Sequence, residues 1–289
     1  MPGATTGNVN TRRGLYLQDP AKGIFYGSIN QLDDGGTAHY NGLNVSAQRR
    51  SSKGYSIQAN YTWSHCISDQ GNPELGVAGL NFMVPGDRRR DRGSCTLGDR
   101  RHIFNLSAVY ETPKFANNKL RMLGTGWQIS PIIRASSGPY LTVLSGVDYA
   151  LTGQTALERP NQILADPYLP NKGPDGYLNP LAFANPTTPG TYGNLGQNNI
   201  QSPGSIYINA GVTRTFRVHE KMSLQFRAEA FNIPNLVNWG PPNGLAGNGT
   251  STASAGFITP TAARNNVNFG KILSADDPRI LQGALKFVF

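Results

Sequence analysis

Two cysteines and two histidines open the search for chemistry. Cys66 follows His65 directly, and Cys95 lies seven residues before His102. On paper His65, Cys66, Cys95 and His102 make a metal set, but their spacing matches none of the zinc patterns, in which ligands come in close pairs. The two cysteines read either as free thiols or as a disulfide. A bridge would close a loop of about 30 residues and contribute roughly 3–4 kcal/mol by restricting the unfolded chain. His219-Glu-Lys-Met-Ser223 opens like a zinc-protease helix, but Ser223 stands where the second histidine is required. The chain has no Gly-x-Ser-x-Gly elbow. The Gly-rich run 244–249 follows no strand and opens no helix, so it does not read as a phosphate loop. The expectation is therefore no catalytic residue, no metal and no cofactor.

Other residue types suggest binding. Arg227 and Glu229 are two apart, hence on one face of a strand, where they read as a structural ion pair or as ligand contacts. Tyr149, Tyr168, Tyr177, Phe183, Tyr192 and Trp239 fall in long loops. They could stack on a sugar, peptide or siderophore, or pack the loops onto themselves. The net charge of +9 is concentrated in Asp87-Arg-Arg-Arg-Asp-Arg92 and Asp99-Arg-Arg-His102. No helix-turn-helix, zinc-finger or RNA-binding signature accompanies these clusters, so no nucleic-acid partner is expected. Basic loops facing lipopolysaccharide phosphates, or simply water, account for them equally well.

The elements that must carry these residues read as strands. Hydrophobic residues are 38% and charged residues 15%, with 34 Gly and 20 Pro. That composition excludes a helical bundle and a charged disordered chain. It suits many strands with turn-rich loops. No run of 18 apolar residues encodes a transmembrane helix. In the last stretch Leu281, Gly283, Leu285, Phe287 and Phe289 alternate with Gln282, Ala284, Lys286 and Val288. Tyr55, Ile57, Ala59, Tyr61 and Trp63 alternate with Ser56, Gln58, Asn60, Thr62 and Ser64. Period two predicts strands with one apolar and one polar face. Tyr55 and Trp63 stand about 26 Å apart along such a strand. At a tilt near 45° that is about 19 Å of membrane depth, compatible with an aromatic ring at each rim of an apolar band about 25 Å tall.

The same reading gives strands near 24–32, 40–50, 103–111, 126–136, 206–216 and 223–232, after an irregular start over 1–23. Pro131 predicts a bulge or an interrupted ladder. Arg214 breaks the apolar face of its strand, where its stem could snorkel to the interface. The connections run short (51–54), long (66–100), medium (112–124), long (146–204), short (218–221) and long (233–278). Outer-membrane barrels keep short turns on the periplasmic side and long loops outside. This alternation predicts an all-β antiparallel transmembrane barrel segment of about eight strands over 24–289, with Phe289 in the periplasm.

Tyr40-Asn-Gly-Leu-Asn-Val-Ser-Ala-Gln-Arg-Arg50, Gln58-Ala-Asn-Tyr-Thr-Trp-Ser-His65, Asp99-Arg-Arg-His-Ile-Phe-Asn105, Gln225-Phe-Arg-Ala-Glu-Ala-Phe-Asn232 and the terminal strand resemble the C-terminal barrel of TonB-dependent receptors. The resemblance is strongest to the Oar-like group, whose N-terminus carries a carboxypeptidase-regulatory-like domain. It implies a 22-stranded barrel in the cell outer membrane, with uptake of a scarce siderophore, glycan or peptide powered through TonB. It also implies contact with outer-membrane lipid and lipopolysaccharide. The barrel-assembly machinery would read the closing strand through Leu281, Leu285, Phe287 and Phe289. Plug, TonB box and signal peptide are not seen in these residues, so the chain is expected to be a C-terminal fragment, with the TonB complex a partner only of a full-length form. Two other readings stand beside it: a self-contained small barrel for adhesion or envelope integrity, and a soluble basic β-protein that binds polyanions.

Overall fold

The computed structural model describes residues 3–29, 31, 34–52, 54–69, 82–84, 86–95, 99–145, 147–153, 158–219, 222–242, 245–246 and 268–289. Seven long strands dominate it: β1 (Ala38–Ser52), β2 (Tyr55–Ser68), β3 (His102–Glu111), β4 (Trp127–Ser136), β5 (Ser205–His219), β6 (Met222–Phe231) and β7 (Ile280–Val288). Each pairs antiparallel with its neighbours in sequence, so the sheet is an up-and-down meander; the two-residue strand Gly93–Ser94 adds to β2. The sheet is not closed: β1 and β7 are its edges.

Register sorts the side chains into two faces. One transverse row reads Val45, Tyr61, Phe104, Ala135 and Ile206 from β1 to β5; the next reads Ser46, Asn60, Asn105, Arg134 and Tyr207. The apolar rows continue through Ala210, Ala230 and Leu281 and through Phe216, Leu224 and Phe287. None of the buried hydrophobic residues lies on the seven strands, whereas Leu281 and Leu285 are each 71% exposed and Phe289 is 92% exposed. A soluble antiparallel sheet packs one face on a core. Here the apolar face has no protein cover among the described residues, which is the arrangement of a sheet whose outer face meets lipid. Among those residues no helix is long and apolar enough to cross a membrane, which says nothing about crossing by strands.

Pro131 interrupts the ladder without shifting it. The β3–β4 pairing skips Ala108 and Val109 opposite Pro131 and Ser130, then resumes in the same register at Tyr110, while the β4–β5 pairing runs unbroken. A residue without an N–H loses a ladder bond on one side only.

The short connections gather at one end. Ser52 pairs with Tyr55 around Gly54, whose φ of 85° a residue with a Cβ rarely adopts, and His219 pairs with Met222. The medium connection at the same end folds into α3 (Asn118–Gly124). Arg214 finds its place here. Its guanidinium donates to the carbonyls of Met122 and Leu123, 2.8 Å from Leu123 O through Nη1, and lies over the rings of Trp127 and Phe216. The charge caps the end of the helix, where a cation is favoured, and the stem stays on the apolar face. Arg49 repeats the device, 4.3 Å above the Tyr55 ring.

The beginning of the chain differs from the sequence expectation. Ile24–Leu32 is not a strand: residues 24–29 are irregular, and Asn30, Leu32 and Asp33 lie outside the described residues. The run places Ile24 and Tyr26 on one face and Phe25 and Ile29 on the other, so it offers no polar face, and Gly27 weakens it further. Residues 3–23 form short helical turns, including α1 (Gly14–Gln18) and α2 (Pro20–Gly23). They sit with the long loops, tied by Arg12 Nη2 donating to Leu151 O at 2.8 Å. Thr37 N and Oγ1 donate to the Asp69 carboxylate at 2.6 and 2.9 Å and fix the entry into β1. Among the described residues the sheet thus has seven long strands, and Gly93–Ser94 is its short eighth.

A charge placed at mid-height on the apolar face tests the lipid-facing assignment. Ala59→Arg should cost about 2–4 kcal/mol in urea unfolding from lipid bilayers, and the adjacent lumen-side Gln58→Arg under about 1 kcal/mol. Equal costs would exchange or abolish the assigned faces.

Candidate functional site

Two regions carry polar chemistry: a cap built from the long loops, and the polar face of the sheet beneath it. The cap holds the only apolar core among the described residues. Tyr140–Val143 is flanked by Ile200–Gln201 and Leu245–Ala246, pairing Leu141 with Ile200 and Val143 with Leu245. Around this small sheet pack Leu178, Phe183, Leu195, Phe269 and Ile272. The expected loop 146–204 therefore begins after a strand and folds into a domain-like unit. Backbones approach closely within it. A Cβ on Gly93 would sit 1.8 Å from Gln197 O, and one on Gly138 equally close to Ser202 O, so neither position admits another residue without rearrangement.

Covalent and ionic ties join the loops. Cys66 and Cys95 form a disulfide, with Cys95 N donating to Cys66 O at 3.1 Å. Asp99, placed by sequence in a basic cluster, is buried and accepts from Cys66 N at 3.2 Å. His65 Nδ1 lies 2.9 Å from Arg101 Nη2, and His102 Nδ1 lies 2.8 Å from the Tyr61 hydroxyl. The four residues of the paper metal set are thus drawn into other bonds. Sequence reading misses a buried ion pair. Arg159 Nη1 donates to Asp91 Oδ1 at 2.6 Å with both side chains 4% exposed. Arg159 also donates to Leu195 O and Arg90 O, and Asp91 Oδ2 accepts from Met83 N at 2.9 Å. A buried pair with its remaining valences filled this way is costly to break from one side. Its only signal in the sequence is an acid inside the run of arginines.

Four of the six loop aromatics serve this core. Tyr177 and Phe183 are buried within it, and Tyr168 and Trp239 pack against it. The Tyr168 and Tyr177 hydroxyls both donate to Gln201 O at 3.1 Å, and burial pushes both phenols up from their ordinary value. These four fill the cap and are not a stacking surface. Tyr149 and Tyr192 are half-buried, and Arg90 lies over the Tyr192 ring.

Glu158, 2% exposed, is the most perturbed acid of the cap. Burial, then the charge of nearby Asp148, pushes its carboxyl up to about 8 against the opposing pull of Arg159. Asp148 sits among donors, with Thr152 N and Gly153 N each 2.7 Å from its carboxylate.

Below the cap, the polar face forms a concavity of about 520 Å³ whose lining includes Arg100, Asn105, Arg134, Ser205, Tyr207 and Asn209. Arg100 Nη1 donates to Ser136 Oγ and Ser137 O at 3.1 and 3.2 Å. The Tyr207 hydroxyl donates to Asp276. A smaller hollow of about 190 Å³ toward the other end includes Ser130, Gly211, Arg227 and Glu229. There Arg227 and Glu229 form an ion pair with each other, and Gln282 donates to Glu229. Leu281, Leu285 and Phe287 on β7 and Phe289 just after it are exposed, and the Phe287 and Phe289 rings lie 6.0 Å apart.

A family model described as an outer membrane beta barrel domain matches residues 1–282. No curated protein and no solved structure matches the chain.

The cap should loosen as pH rises. The Glu158 carboxyl sits near 8 in the fold against an ordinary value of 4.5, so the fold favours its neutral form. That preference is fully present below about 4.5 and is lost as pH climbs through about 8, a difference of at most roughly 5 kcal/mol. Hydrogen exchange of the cap, corrected for intrinsic rates, should quicken between pH 5 and 9. Glu158→Gln should flatten that dependence, and an unchanged profile would remove Glu158 as its cause.

Proposed function

We propose that this chain, which belongs to the outer membrane beta barrel domain family, forms the C-terminal wall and outer mouth of a receptor that takes up a scarce nutrient through TonB. The observation that carries the reading is the direction of the edge strands. β1 and β7 both run from the long-loop end to the short-turn end, because an odd number of antiparallel strands separates the two free edges. Joining them directly would put a parallel pair into an antiparallel barrel. Antiparallel closure needs an odd number of further strands, which favours a larger barrel such as the 22-stranded one the sequence resembles. The same point weighs against a self-contained small barrel. The uncovered apolar face weighs against a soluble polyanion binder.

In this reading the long loops and cap face outward and Phe289 lies in the periplasm. Arg88, Arg89, Arg90 and Arg92 meet lipopolysaccharide phosphates, and the barrel-assembly machinery reads the exposed face of β7. Siderophore, glycan and peptide remain the ligand classes, and the chain supplies a wall and a mouth rather than catalysis.

The test uses the intact gene in its own cell. Growth on a limiting iron chelate, glycan or peptide should be lost both on deleting the gene and on disrupting the TonB energiser. A nutrient whose entry needs the gene but not the energiser would point to passive diffusion, and loss of envelope integrity without any nutrient defect would favour the small-barrel alternative. Either result would sink the receptor reading.

A further inference from the structure

We propose that the concavity on the polar face, beneath the cap, is an anion-binding subsite and that the ligand it holds carries a phosphate or carboxylate group. This deepens the receptor reading and rests on it for the direction from which the ligand arrives. A volume of about 520 Å³ falls within the range of small-molecule pockets. Two guanidinium groups, Arg100 and Arg134, line it, and among the described residues no acid does.

The two arginines stand differently. Arg100 is anchored through Nη1 to Ser136 Oγ and Ser137 O, so its position is set before any ligand arrives. Arg134 makes no hydrogen bond and no ion pair among the described residues. Its cross-strand neighbours are Asn105 on β3 and Tyr207 on β5, both neutral. The nearest acid in the bonding network, Asp276, accepts from the Tyr207 hydroxyl instead. Two like charges sharing one hollow repel each other, and an anion between them relieves the repulsion.

The same face shows what a merely neutralised arginine looks like. Arg227 has Glu229 on the same strand and the same face, with Gln282 holding the carboxylate from β7. At Arg134 the corresponding position two residues on is Ser136, and that hydroxyl already serves Arg100. A guanidinium left with its fork open recognises carboxylate and phosphate in two-point contacts, which an ammonium cannot match. Asn105, Ser205 and Asn209 add neutral polar groups around the charge. The group sits on strands rather than on loops, so its placement is held by the ladder.

The experiment measures equilibrium binding to the full gene product folded in detergent micelles, by titration calorimetry. The probes are inorganic phosphate and citrate, with glucose as the uncharged control. Saturable binding of phosphate or citrate, and none of glucose, is expected. Arg134→Gln should weaken it about tenfold or more, the scale of one charge-assisted contact. Arg217→Gln, on the same face but away from the hollow, should change it less than about twofold. Heat-modifiable mobility on gels confirms folding of each variant, and because Arg134 bonds no group among the described residues, its loss should leave folding intact. Failure of both anions to bind the native protein overturns the proposal, including when an acidic side chain from elsewhere in the barrel already fills the fork. So does equal binding by Arg134→Gln and the native protein. No energiser takes part, so failure here leaves the uptake assay to judge the receptor reading separately.

Discussion

A strand in hydrocarbon must find a partner for every N–H and C=O, because no water is there to take them. The rest of this structure follows from that requirement. It explains why the seven strands join only to sequence neighbours through short turns at one end, and why the pairing passes Pro131 without changing register. It also explains the alternation. One set of side chains must be acceptable to lipid, so the opposite set is free to be polar. The edges are where the requirement is left unmet by these seven strands, and the shared direction of β1 and β7 limits how it can be met. Neither edge can be satisfied by the other without a parallel pair.

The same physics places the hydrophobic core outside the sheet. Lipid gives an apolar side chain nothing to gain by burial in protein, so the strands carry no packed core. The long loops stand in water, where burial does stabilise, and there the chain folds much as a soluble protein does. Leu141, Val143, Ile200 and Phe183 collapse around a small sheet. Loop backbones pass close together at Gly93 and Gly138; a disulfide ties the first long loop back to the end of β2, and the Asp91–Arg159 pair fastens that loop to the next. The described parts of the loops are thus cross-linked around one core. Loops this long would otherwise carry a large ordering cost, and the cap meets it with burial and cross-links.

What was legible in the sequence is what local periodicity encodes. Tyr55–Trp63 and Leu281–Phe289 alternate cleanly, so strand, face and even the interrupted ladder at Pro131 could be read directly. The segment 24–32 resembles a strand only as a short apolar run, because its two faces do not differ. Ile24 and Phe25 point to opposite sides, and no lipid-facing strand can use both. The cap was not legible because its contacts are long-range. Asp91 and Arg159 lie 68 residues apart, and no pattern around either announces the other. The aromatics were visible but not their duty: Tyr177 and Phe183 look alike in sequence whether they face a ligand or a core. Arg214 was legible as an anomaly only, because α3, whose carbonyls it caps, has too weak a helical pattern to be foreseen.

The net charge of +9 is one number in the sequence, but in the structure it divides by solvent. At the lipid rim, Arg49 and Arg214 lie over aromatic rings, where a cation loses little by leaving water. In the cap, Arg159 is buried and fully paired, because an unpaired charge there would be very costly. On the polar face, Arg227 has its own glutamate. Arg134, exposed on the same face, has neither ring nor acid beside it among the described residues, although it shares its hollow with a second arginine. What this pair of arginines lacks, on the anion-subsite proposal, is a counter-charge. A soluble anion supplies it without any change to the wall. On the receptor reading proposed above, the basic character of the chain, read from sequence as facing lipid phosphate or water, belongs in part to ligand binding.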